Sequence, residues 1–189
     1  PPRARAAGHA AVFGRTLVVA AGQGEGRNTT EKLEDAAPVM RFDLDAETWS
    51  LGAPIPTPRE HVAGADADGG VWILGGRRIS LEPTLDVVER YDVASDAWET
   101  MPSMPTPHGG FAAARVGREI FVGGGEVRAE ALVTFESFDL DAAIWSSREP
   151  LPSPRHGHAM AARGGRVYLI GGAHRPVFAA VPHVESFAP

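Results

Sequence analysis

Two histidines, His156 and His158, would share one face of an extended strand and could open an imidazole metal site. No His-Glu-x-x-His run and no carboxylate at ligand spacing completes it, so no metal is expected. A glycine-rich stretch, Gly22-Gln23-Gly24-Glu25-Gly26-Arg27-Asn28-Thr29, follows an apolar run as a phosphate-binding loop would. Its spacing is Gly-x-Gly-x-Gly, Glu25 would face a phosphate, and no parallel-strand unit follows, so dinucleotide binding is rejected. Asn28 with Glu31 instead matches a helix capping box, which predicts a short helical turn in a loop able to cover a ligand. Asn28-Thr29-Thr30 also fits a glycosylation sequon. There is no Gly-x-Ser-x-Gly elbow for a serine nucleophile. The chain has no cysteine, which removes thiolate zinc sites, disulfide scaffolds and cysteine nucleophiles. No cofactor is expected.

Composition narrows the partners. The net charge of −6 argues against a general nucleic-acid surface, so no nucleic-acid partner is expected. No apolar run approaches the ~18 residues needed to span a bilayer. Pro1 to Ala7 carries arginines with no apolar segment behind them and does not read as a signal peptide. A hydrophobic fraction of 43% is enough for a core, while 22 glycines and 16 prolines are too many for a helical domain.

The elements that must carry these residues come from a repeat. Phe42-Asp43-Leu44-Asp45-x3-Trp49, Tyr91-Asp92-Val93-x4-Trp98 and Phe138-Asp139-Leu140-Asp141-x3-Trp145 share one frame, their tryptophans 49 and 47 residues apart. Upstream of each lies an apolar run ending in two small residues: Ala20-Ala21, Gly75-Gly76 and Gly123-Gly124, with a fourth at Gly171-Gly172. Before each run stands Pro2-Arg3, Pro58-Arg59, Pro107-His108 or Pro154-Arg155. Each unit reads as four short strands. The first is small and apolar, the second is the run into the small pair, the third alternates as in Val133-Thr134-Phe135-Glu136-Ser137-Phe138, and the fourth carries the tryptophan. The Asp after the aromatic can bond its own backbone in the turn between the third and fourth strands. Proline clusters such as Met101-Pro102-Ser103-Met104-Pro105-Thr106-Pro107 end each sheet, because proline cannot donate to a ladder. No segment sustains a helical period, so the chain is all-β.

This order of features resembles the kelch repeat, whose period is about 50 residues and whose units are four-stranded blades of a β-propeller. The resemblance spans nearly the whole chain and implies a single propeller segment over residues 1–189. Its blades run approximately over 3–53, 54–103, 104–150 and 151–189. It departs from the pattern at Ala20-Ala21 and at His108. The fourth unit stops at Val184-Glu185-Ser186-Phe187 with no tryptophan strand, which reads as a segment of a longer propeller, or else a homo-oligomer that completes the ring. Trp49, Trp98 and Trp145 are expected to pack between blades, and the small pairs to allow close backbone approach.

In such a propeller two loop sets meet on one face around a central channel. Three residues on from the linker prolines stand Arg5, His61, Gly110 and Gly157, with His108, His156 and His158 close by. After the small pairs stand Gln23 and Glu25, Arg77 and Arg78, Glu126 and Arg128, and His174 and Arg175. The loop of the first unit is the longest, 21 positions from Ala21 to Phe42 against 15, 14 and 15. The resemblance implies a binding module for a protein segment or glycan, with an acidic or carboxylate-bearing ligand held by bidentate arginines such as Arg5. The plain alternative is that loop arginines are simply solvated. A rival class is a sugar-active enzyme resembling the kelch-fold sialate epimerases, with Glu126, Glu25 or His158 as acid and base and Arg77 and Arg175 holding a carboxylate. A third is a structural repeat linking larger domains. Glu82-x3-Asp86-x3-Arg90 resembles the Glu-x3-Asp-x3-His iron site of plant specifier proteins, but Arg90 stands where the third ligand belongs. The cysteine-crosslinked tyrosine of galactose oxidase is excluded. Likeness to bacterial kelch proteins points to a secreted or periplasmic setting for a soluble chain.

Overall fold

The computed structural model describes residues 1–25, 30–78, 83–128, 130–175, 179, 180, 182 and 184–188. Glu82, Asn28 and Thr29, and with them the capping box, the sequon and the specifier-like triad, lie outside the described residues.

The first sheet runs in order through β1 (His9–Phe13), β2 (Thr16–Ala20), β3 (Pro38–Asp43) and β4 (Thr48–Pro54), all antiparallel. Helix α1 (Thr30–Asp35) lies in the long loop between β2 and β3, where a short helical turn was expected, and buries Leu33. The second sheet repeats the order with β5 (Ala63–Ala67), β6 (Gly70–Leu74), β7 (Val88–Asp92) and β8 (Ala97–Met101). The third holds β9 (Ala112–Val116), β10 (Glu119–Gly123), β13 (Phe135–Asp139) and β14 (Ile144–Ser147). Between β10 and β13 sits a minimal hairpin of β11 (Glu126–Val127) and β12 (Glu130–Ala131). The fourth sheet has β15 (Ala159–Arg163), β16 (Arg166–Ile170) and β17 (Val184–Phe187) among the described residues. The sheets are arranged as blades of a β-propeller.

Local chemistry accounts for the elements. Asp68 and Gly69 take φ of 49° and 72° in the β5–β6 hairpin, the twist a two-residue connection requires. The β3–β4, β7–β8 and β13–β14 turns are built by the residue the repeat puts there. Asp43 Oδ1 accepts from the Asp45 and Ala46 amides at 2.8 and 2.9 Å. Asp92 Oδ1 accepts from Ala94 and Ser95 at 3.1 and 2.9 Å, and Asp139 Oδ1 from Asp141 and Ala142 at 2.8 and 2.9 Å. Across each turn the aromatic opposes its tryptophan in register, with ring centroids at 4.9 Å (Phe42–Trp49), 5.2 Å (Tyr91–Trp98) and 5.1 Å (Phe138–Trp145).

The core lies between blades. Val71 and Ile73 of β6 pack against Val18, Ala20 and Val39 of the first blade. Trp72 and Leu74 of the same strand pack against Phe111, Ile120 and Phe138 of the third. A second strand buried on both faces reads as a continuous apolar run, which is why it shows no alternation. Phe121 of β10 faces Val167 and Leu169 of the fourth blade in the same manner. Indoles tie the blades at the outer edge: Trp98 Nε1 donates to Ala53 O at 3.0 Å and Trp145 Nε1 to Pro102 O at 2.9 Å, each acceptor in the preceding blade. The innermost strands β1, β5, β9 and β15 converge on a cavity of about 400 Å³ lined largely by alanine and glycine. Convergence explains why these strands are small.

Candidate functional site

The loop face is organised by backbone bonds that correct the alignment of the repeats. Two successive residues take positive φ at Ala21-Gly22 (56°, 91°), Gly75-Gly76 (50°, 102°), Gly124-Gly125 (66°, 101°) and Gly171-Gly172 (67°, 90°). The small pair of the first and third units is therefore one residue later than the sequence suggests. The apolar run offers two adjacent frames, and only the backbone conformation chooses. At three junctions the second residue of the pair donates its amide to the next blade's linker: Gly22 to Arg59 O at 2.8 Å, Gly76 to His108 O at 2.9 Å and Gly125 to Arg155 O at 2.8 Å. Such an approach leaves no room for a side chain; a Cβ on Gly76 would lie 2.7 Å from Glu60 O.

The same frame moves the first linker arginine from Arg3 to Arg5. Isolated bridges join Ala6 to Gln23, Glu60 to Arg77, Gly109 to Glu126 and His156 to Ala173, so Arg5, Arg59, His108 and Arg155 occupy one position. These side chains point into the blades. Arg59 is fully buried, donates to Gly75 O at 2.7 Å and Ile73 O at 2.9 Å, and pairs with Glu89. Arg155 pairs with Glu185. His108 Nδ1 donates to Gly124 O at 2.7 Å, and burial pushes the imidazole down to about 4. Arg5 donates to Ala21 O at 2.8 Å, Pro38 O at 2.9 Å and Ala36 O, and burial lowers it to about 10, with Arg3 adding repulsion. Arg5, named as a ligand-binding arginine, thus has its guanidinium committed to backbone carbonyls of its own blade.

A second line of bonds runs around the mouth: Gly110 N donates to His61 O at 2.9 Å and Gly157 N to Gly110 O at 2.7 Å. This rim gathers five side chains. Arg77 donates from Nε to Glu60 Oε1 at 2.9 Å and from Nη1 to Glu126 Oε1 at 2.7 Å, joining the second blade to the third. His61 Nδ1 donates to Glu60 Oε2. His156 Nδ1 lies 3.5 Å from Glu126 Oε2, and its Nε2 lies 2.9 Å from Arg175 O. Glu60 and Glu126 expose 2% and 9% of their side chains, Arg77 12% and His61 38%. Burial holds His61 down at about 4, with Arg77 adding to the effect and the Glu126 carboxylate opposing it.

The other expected residues are dispersed. Gln23 is half-buried, its backbone paired with Ala6. Glu25 is exposed, beside Arg3 and Lys32. Arg78 is 3.7 Å from Glu34. His158 is buried, lowered to about 4 by burial with help from Arg155 and His156, and so is not set beside His156 on one open face. His174 and Arg175 are exposed. No group of three metal-ligating side chains fit for an ion occurs among the described residues. The sequence reading missed Glu60, and it placed His156 near the loop face without naming it among the ligand-binding residues. The signal was present: both follow the linker basic residue directly, once Arg5 replaces Arg3 in the alignment.

Among the described residues no helix is long and apolar enough to cross a membrane. An F-box/kelch-repeat protein of Arabidopsis thaliana is 39% identical over 54 residues, which are 29% of this chain and 14% of that protein. The chain therefore covers a small part of that relative's length, and a plant relative lends nothing to a bacterial, secreted or periplasmic setting. The family model described as the KLHDC2/KLHL20/DRC7 Kelch-repeats domain matches residues 1–172. Kelch propellers commonly mediate protein interactions. With the four blades in agreement with that match, the chain belongs to the KLHDC2/KLHL20/DRC7 kelch-repeat domain family.

Proposed function

We propose that the chain is a non-catalytic binding module that recognises a protein segment on its loop face. The observation that carries this reading is the preformed rim of Glu60, His61, Arg77, Glu126 and His156, contributed by three successive blades and fixed by backbone bonds. Side chains already ordered on strand ends lose little conformational entropy when a partner docks. Loops held on a rigid scaffold are where binding residues concentrate. Glycan binding is the other ligand class that the loop face suggests, and a sugar-active enzyme is the rival activity.

The test is selection from a display library of short peptides and from a glycan array, with His61→Ala and Arg77→Ala variants as comparison. Peptide binders lost by both variants support the reading. Ligands unaffected by either variant would end the loop-face assignment, and mutarotation of sialic acid by the intact chain would move the enzyme to first place.

A further inference from the structure

We propose that the outer edge of the fourth blade is a docking site for a partner polypeptide, which adds an extended strand to β17 and seats a tryptophan against Phe187. This edge is distinct from the loop-face rim, and the proposal does not rest on the loop-face reading. Among the described residues the fourth sheet has three strands, whereas each of the other blades carries a fourth strand bearing a tryptophan. A sheet edge offers backbone donors and acceptors that a further strand can pair.

The seat for the side chain is already formed. Phe121, Phe135, Arg148, Glu149 and Phe187 line a cavity of about 160 Å³ at the junction of the third and fourth blades. At the preceding junction the corresponding place holds Trp145, which packs on Phe138 and joins Met101 against the cluster containing Trp72. The repeat equates Phe187 with Phe138, Phe121 with Trp72 and Arg148 with Met101. The indole acceptors form a series, each four residues past the tryptophan of the preceding blade: Ala53 O for Trp98 and Pro102 O for Trp145. The next member is Glu149 O, and Glu149 lines the cavity. Register supplies a second anchor. Val88 opposes Met101, three residues after Trp98, and is 1% exposed; Val184, its equivalent, is 59% exposed. The docking segment is therefore Trp-x-x-apolar, antiparallel to β17, with the indole opposite Phe187 and the apolar side chain opposite Val184.

Residue identities separate this strand from a hairpin continuation of β17. Asp43, Asp92 and Asp139 each build the turn into a fourth strand, and their equivalent is Ala188, whose side chain has no acceptor. The next residue in each turn, Leu44, Val93 or Leu140, donates its amide to Arg15 O, Gly69 O or Arg118 O. Its equivalent is Pro189, which has no N–H. The tight turn that delivers the other fourth strands is not encoded here, which favours a strand supplied by a separate polypeptide.

The test titrates the intact chain with a peptide of residues 96–102, Asp-Ala-Trp-Glu-Thr-Met-Pro, and follows amide hydrogen exchange along β17. Saturable binding with slowed exchange at β17 is expected. Trp98→Phe in the peptide, which removes the donor for Glu149 O, should weaken binding about fivefold. Trp98→Ala in the peptide leaves the cavity empty and should weaken it about thirtyfold or more. Phe187→Ala in the chain, with folding verified by its melting temperature, should have a similar effect. A Trp98→Ala peptide that binds as tightly as its parent, or protection that appears only away from β17, overturns the proposal. Sedimentation of the chain alone covers the other occupant: self-association that slows exchange at β17 would assign the edge to a second copy and overturn the partner. Peptides captured on the loop face in the display experiment would stand in either case, so the two failures are distinguishable.

Discussion

Glu89 and Glu136 occupy the same place in successive blades, yet neutralising them is expected to move stability in opposite directions. Glu89 is 2% exposed, accepts from Thr57 Oγ1 at 2.9 Å and pairs with the fully buried Arg59. Glu89→Gln would strip that guanidinium of its counter-charge, which costs about 3–5 kcal/mol. Glu136 keeps the threonine bond, from Thr106 Oγ1 at 2.7 Å, but the third blade has His108 in place of the arginine. Its Oε2 is buried without a hydrogen bond, and burial raises the carboxyl above its ordinary range. Glu136→Gln keeps the acceptor for Thr106 and removes the buried charge, although its amide NH2 takes the unbonded place of Oε2, so it should stabilise by about 1 kcal/mol. Urea unfolding followed by tryptophan fluorescence measures both variants. A carboxyl whose pKa is raised by folding adds stability below its unfolded value of about 4.3, and that contribution is lost as pH rises through the folded value. The advantage of Glu136→Gln should therefore be largest at neutral pH and shrink towards pH ~4. His108→Arg supplies the missing cation and should reverse the sign of the Glu136 substitution in a double-mutant cycle. If Glu136→Gln destabilises the wild type as much as Glu89→Gln does, the Glu136 charge is compensated and the reasoning is refuted.

Other consequences can be measured separately. Gly76→Ala combines φ of 102° with a Cβ 2.7 Å from Glu60 O and should destabilise by at least about 2–3 kcal/mol in urea unfolding, whereas Gly14→Ala, at φ 56° with open space around it, should cost only about 1 kcal/mol. Trp98→Phe keeps the ring over Tyr91 but loses the donor to Ala53 O, an expected cost of about 1 kcal/mol with faster amide exchange at the junction of the first two blades. Asp92 is held down at about 2 by hydrogen bonds from Ser95, so its contribution is present above pH ~4 and lost as pH falls through ~2; Asp92→Ala should flatten that part of an acid-unfolding profile.

The architecture was legible because each repeated feature has one physical job. The Phe/Tyr-Asp step makes a turn that only a short acceptor can close, and the tryptophan seven positions on must fall opposite the aromatic. The site was legible in its parts but not in its pairings. Arg77 and Glu126 both stood out after the small pairs, yet their ion pair spans two blades and no spacing within one repeat encodes it. Arg5 was aligned with His61 instead of Arg59 because Pro2-Arg3 imitates Pro58-Arg59 two residues too early. Only the bridge from Ala6 to Gln23 shows which arginine fills the linker position. Glu60 escaped notice because its equivalents are Ala6, Gly109 and His156, so the repeat contains no recurring type to mark it.

The two-faced second strand also sets which changes of length the fold can absorb. In β6, Val71 and Ile73 belong to one inter-blade core while Trp72 and Leu74 belong to the next. Losing or gaining a single residue there would exchange the contents of both cores at once, because a strand's side chains alternate without exception. The loop between β2 and β3, by contrast, already carries an added helix without altering the blade that follows. A scan of single-residue insertions along the chain should therefore find intolerance confined to the short second strands at intervals of one repeat, with wide tolerance in the loops behind them.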